Sequence, residues 1–95
     1  MNVGGDLQVT WIQGAKIGAV TVTLCKVNSF TPGLYPVDIA ADPTKYTVIE
    51  SMTITEGNLA SFLVQDTGRY FIKMINTRNS FNSNPVYSGN FWTVI

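Results

Sequence analysis

Apolar and polar side chains alternate with a period of two in short runs along this chain, whereas the 3.6-residue repeat of an amphipathic helix is hard to find. The clearest run is Val20-Thr21-Val22-Thr23-Leu24-Cys25. In an extended chain its Val20, Val22 and Leu24 fall on one side and Thr21, Thr23 and Cys25 on the other, so a core is expected on the first side only. Similar runs occupy residues 7–11, 46–55, 59–64, 69–75 and 87–95, and residues 35–40 form a weaker one that Pro36 confines to an edge. Turn residues separate them: Pro32-Gly33, Ala41-Asp42-Pro43, Gly57-Asn58 and Gln65-Asp66-Thr67-Gly68, with residues 76–85 as the longest loop. Seven extended runs at about ten-residue spacing predict an all-β chain folded as a single β-sandwich of about seven antiparallel strands. With 95 residues there is room for one domain, spanning residues 1–95.

Composition narrows the chemistry. Six Lys and Arg balance six Asp and Glu, so the chain lacks the positive field that draws proteins to nucleic acid, and no nucleic-acid partner is expected. There is no histidine and a single cysteine, which excludes a Ser-His-Asp triad, most zinc sites and any internal disulfide. No window reaches the roughly 18 apolar residues of a membrane span, nor does the start of the chain show the basic-then-apolar order of a signal peptide. A soluble chain is expected.

The most specific local pattern is Asp66-Thr67-Gly68-Arg69-Tyr70-Phe71-Ile72. It has the order of a tyrosine corner, in which a Tyr opening strand F of an immunoglobulin-type sandwich bonds its hydroxyl back to the backbone a few residues upstream. In antibody domains a cysteine follows two positions later and pairs with one on strand B. Here that position is Ile72, and with Val20–Leu24 read as strand B its partner is Leu24. An apolar Leu24–Ile72 contact would then stand in for the disulfide. The expectation is an immunoglobulin-like or fibronectin III-like sandwich held by Tyr70, Asp66, Gly68, Leu24, Ile72 and Trp11, without an internal disulfide.

Four segments also occur together in the order Leu7-Gln8-Val9-Thr10-Trp11, Val20-Thr21-Val22-Thr23-Leu24, Gly68-Arg69-Tyr70-Phe71-Ile72-Lys73 and Tyr87-Ser88-Gly89-Asn90-Phe91. This resembles a fungal extracellular module, the one found in Ser/Thr-rich GPI-anchored cell-wall proteins and in yeast proteins needed for β-1,6-glucan assembly. The likeness covers nearly the whole chain except residues 32–54, which match poorly. It implies a secreted or cell-surface head domain with cell-wall polysaccharide or wall proteins as partners. The Ser/Thr-rich tail of that family is not in this sequence.

Catalysis is not expected. The carboxylates are Asp6, Asp38, Asp42, Glu50, Glu56 and Asp66, and a glycosidase needs two of them about 5 to 9.5 Å apart. Glu50 and Glu56 on one strand would stand about 20 Å apart at about 3.3 Å per residue. Asp38 and Asp42 flank a turn, where capping is the expected role because calcium takes about six to eight oxygens. No metal or other cofactor is implied. Cys25 is expected to pack on the outward side; exposed in an oxidising compartment, it would pair between chains.

Eleven aromatics exceed what one small core holds. Trp11, Tyr70 and Phe91 are assigned to the core, while Tyr35, Phe81, Tyr87 and Trp92 are the candidates for exposure. Asn82 and Asn90 lie near them in sequence, and rings beside amides are suited to stacking on sugars and bonding their hydroxyls. Three readings follow: a non-catalytic wall-associated structural or interaction module, a carbohydrate-binding module for cell-wall glycan, and a structural or adhesive domain of a virus or bacterium.

Overall fold

The alternating runs form two antiparallel sheets. The computed structural model describes residues 2–11, 19–76 and 85–95. Among these, the strands are β1 (Asp6–Thr10), β2 (Val20–Val27), β3 (Tyr46–Ile54), β4 (Leu59–Leu63), β5 (Gly68–Asn76), β6 (Val86–Tyr87) and β7 (Trp92–Val94). Helix α1 (Pro36–Ala40) and a 3-10 turn, Pro43–Lys45, lie between β2 and β3. One sheet is β1–β4; in the other the order is β3-β2-β5, with β6 and β7 both on the remaining side of β5.

This is the strand order of an immunoglobulin-type sandwich, in which B and E are neighbours in one sheet and C, F and G in the other, with C′ beyond C. The pair β1–β4 stands where B–E does, and β3-β2-β5-β7 where C′-C-F-G does. The reading of residues 20–24 as strand B therefore moves by one strand, because alternation reveals which face a residue occupies but not which strand lies beside it. Leu24 and Ile72 are register partners on adjacent strands of one sheet. They do not meet across the sandwich. The residues of β1 that join the same core from the other sheet are Leu7 and Val9.

Between the sheets lie Leu7, Val9, Val20, Val22, Leu24, Ala60, Phe62, Val64, Tyr70, Ile72 and Val94, all buried. Burying a side chain such as Leu24 or Phe62 fully contributes about 1.5–3 kcal/mol, so this layer supplies most of the apolar stabilisation. Trp11 packs against it from the end of β1, with its carbonyl accepting from Asn58 Nδ2 at 3.0 Å.

The tyrosine corner is present. Tyr70 is buried and its hydroxyl donates to the Asp66 carbonyl at 2.8 Å. Burial, and secondarily the Asp66 charge, push its pKa upward, which keeps the hydroxyl protonated as a donor. Gly68 takes φ +144°, and a Cβ there would come within 2.9 Å of Lys26 Cε. Its missing side chain lets Lys26 lie across the corner with its ammonium 6.0 Å from the Tyr70 ring centre.

Two segments depart from the sequence reading. Residues 35–40 are not a strand: Pro36 takes the first helical position, where its fixed φ suits the helix and its missing N–H costs nothing. The Asp38 and Ile39 amides both donate to the Tyr35 carbonyl, at 2.9 and 3.2 Å, and the Asp38 carboxylate accepts from the Tyr35 amide at 2.8 Å. The final run divides into β6 and β7. At the break, the Ser88 amide donates to the Ile72 carbonyl at 2.9 Å, but the Ile72 amide donates to Ser88 Oγ at 3.1 Å. A hydroxyl thus takes the place of the ladder carbonyl and releases the chain from the sheet until Trp92.

A second apolar cluster lies on the outer face of the larger sheet: Cys25, Val27, Ile39 and Phe71 are buried there. Cys25 does point outward, as alternation predicts, but α1 and its flanking loops cover it. Burial pushes the thiol pKa up to about 11, with the Lys73 charge opposing weakly.

Candidate functional site

Phe71, the outward residue at the centre of β5, organises the aromatic side chains on this face. The rings of Tyr46, Tyr87 and Phe91 pack around it, with centroids at 5.5, 6.4 and 6.4 Å. Phe91 in turn meets Phe30 edge-on at 5.7 Å, and the Arg69 guanidinium lies 3.4 Å over the Phe30 ring. These strongly anisotropic contacts set the position of the loop that carries Tyr35.

Tyr35 is 63% exposed and stands as a ridge between two grooves. One, of about 480 Å³, runs between Tyr35 and Val37 on the helix side and Pro85, Val86, Tyr87, Ser88 and Gly89 on the strand side. The other, of about 250 Å³, lies between Phe30, Leu34 and Tyr35 and the Gly89–Phe91 bend. No charged side chain is among the described residues lining either groove. Val37 and Val86 are exposed, so the surface is an apolar one with amide, hydroxyl and phenol groups at its rim.

The fold therefore brings three of the sequence candidates together: Tyr35, Tyr87 and Asn90. Tyr87 is half-buried because its ring packs on Phe71, and Asn90 is exposed in the second groove. Trp92 lines neither of the two grooves beside Tyr35. It is the register partner of Tyr70 and packs, half-buried, against the inter-sheet core. It also lines a third groove, of about 330 Å³, with Val9, Ile72, Met74, Val86, Tyr87 and Ser88, so the fold brings Trp92 and Tyr87 to one groove as well. Phe91, assigned to the core, belongs to the outer cluster. The candidates Phe81 and Asn82 lie outside the described residues.

Sequence reasoning missed Phe30, Val37 and Val86 as part of this surface. The available signal was Pro36 followed two residues later by Asp38, which starts a helix and thereby turns Tyr35 and Val37 toward solvent.

Two of the carboxylates have structural tasks. Asp38 caps α1, and Asp42 Oδ1 accepts from the Thr44 amide at 3.0 Å and the Thr44 hydroxyl at 2.7 Å. The side-chain bond, then the backbone bond, hold the Asp42 carboxyl below its ordinary pKa. Among the described residues, no three His, Cys, Asp or Glu side chains converge. No family model, curated protein or solved structure matches the chain.

Proposed function

We propose that this domain is a non-catalytic interaction module that uses the Tyr35 surface to bind an uncharged ligand, with a neutral cell-wall glycan as the ligand class. The observation that carries the reading is the pair of grooves beside the exposed Tyr35 ring, whose described lining residues include no charged side chain. Such a surface gives no Coulombic advantage to a nucleic acid, an acidic peptide or a basic one. A sugar ring offers what the surface can use: a C–H face for Tyr35 and hydroxyls for Asn90 and Ser88. The resemblance to fungal wall modules supports the same ligand and an extracellular location.

Affinity electrophoresis against β-glucan, chitin and mannan tests it. Retardation on at least one of them is expected, unchanged between low and high salt because no ion pair contributes. Tyr35→Ala, at an exposed position, should abolish the retardation while leaving the urea midpoint unchanged. Unaltered mobility on all three polysaccharides would sink the glycan reading.

A further inference from the structure

We infer that residues 28–45 form a cover that lifts as one unit from the outer face of β2 and β5 while the sandwich stays folded, uncovering the apolar surface around Phe71 and the Cys25 thiol. The inference goes beyond the proposed function and does not rest on it.

The base of the cover is closed on itself. The Asn28 amide donates to the Lys45 carbonyl at 2.8 Å, Asn28 Nδ2 donates to the Thr44 carbonyl at 3.4 Å, and the Thr47 hydroxyl donates to Asn28 Oδ1 at 2.8 Å. The first ladder pair behind it, Val27 with Tyr46, is already in register. A loop whose ends are held together can detach without unzipping the strands it connects.

Inside the cover the hydrogen bonds are local. Leu34 donates to Thr31, Asp38 and Ile39 donate to Tyr35, Asp42 donates to Ile39 and Lys45 donates to Asp42, at 2.9 to 3.3 Å. Its attachment to the sheet rests on apolar packing and one cation–π contact: Ile39 and Pro36 are buried, Leu34 and Ala40 half-buried, and Phe30 rests between Phe91 and the Arg69 guanidinium. The cover thus contributes two buried residues, Pro36 and Ile39, against the eleven that lie between the sheets. Opening of the smaller cluster alone lies below global unfolding in free energy. Phe30, Leu34, Tyr35 and Val37 travel with the cover, so opening also dismantles both grooves.

Cys25, the single cysteine of the chain, is fully buried under the cover and reports its opening. The experiment is labelling by Ellman's reagent at fixed pH, followed against urea concentration and compared with unfolding read from tryptophan fluorescence. Labelling at low urea should be faster than global unfolding allows and nearly independent of urea. Ile39→Ala should speed it at least about tenfold, and Asp38→Ala, which spares the apolar contacts, about threefold. Val64→Ala, in the inter-sheet core, should lower the urea midpoint yet leave labelling without urea unchanged, because Val64 keeps its contacts when only the cover opens. If Ile39→Ala does not fold, Asp38→Ala and the urea dependence in the unaltered chain decide. Labelling that follows global unfolding at every urea concentration, or that Val64→Ala accelerates as much as Asp38→Ala, would overturn the inference.

Discussion

The two faces of the β3-β2-β5 sheet are closed by different means. The inner face meets a second sheet, and side chains from five strands, β1, β2, β4, β5 and β7, interdigitate over it. Among the described residues, the outer face meets residues 28–45, with their five-residue helix, and the rings of Tyr87 and Phe91, near one end of the sheet. Toward the other end it carries paired hydroxyls instead, Thr21 with Thr53 at 3.2 Å and Thr23 with Ser51 at 3.0 Å. A sheet face can thus be stabilised by long-range packing, by a local cover, or left to solvent within one domain. Burial on the inner face is a property of the whole topology, while burial on the outer face depends on one stretch of chain between β2 and β3 together with Tyr87 and Phe91 from beyond β5.

The largest perturbation should come from the inner face. Phe62→Ala removes a fully buried ring between the sheets and should cost about 3–5 kcal/mol in urea unfolding. A loss under about 1 kcal/mol would mean that the inner layer is not the dominant core. Tyr70→Phe keeps the ring and removes the bond to Asp66, so a loss of about 1 kcal/mol is expected. The outer face is probed by pH. Cys25 ionises near 11 when covered and at an ordinary 9.0 when not. The folded state therefore holds this proton more tightly; that contribution is fully present below 9.0 and is lost as the pH rises toward 11. Stability measured across this range should fall less steeply in Cys25→Ala than in the unaltered chain, and equal slopes would show the thiol to be uncovered. Least affected should be the open part of the outer face: Thr21→Val breaks one exposed hydroxyl pair and should change stability by less than about 0.5 kcal/mol.

Legibility from sequence follows the same division. The inner face was readable because Val20, Val22 and Leu24, and likewise Tyr70 and Ile72, repeat at the strand period, and because the Asp66–Tyr70 spacing is bound to a particular hydrogen bond. Sheet membership was not, since Leu24 facing inward is equally compatible with strand B and strand C. The outer cluster escaped because its cover has no periodicity to detect: α1 is five residues long, and its start is encoded by Pro36 and Asp38 alone. The exchange of roles between Phe91 and Trp92 comes from Ser88, whose hydroxyl replaces a backbone acceptor and resets the chain before β7. Of the candidate site, the ring of Tyr35 and the amide of Asn90 were identifiable by type. Their meeting across Gly89 required the fold.

Native-state hydrogen exchange tests most directly whether the two faces are closed independently. The amides of Asp38, Ile39 and Asp42 bond within the cover, whereas those of Val22 and Ile72 lie in strands of the larger sheet. The first group should exchange through openings that urea barely promotes, while the second should exchange only as the whole domain unfolds. The same steep urea dependence in both groups would show a single cooperative unit and contradict independent closure of the two faces.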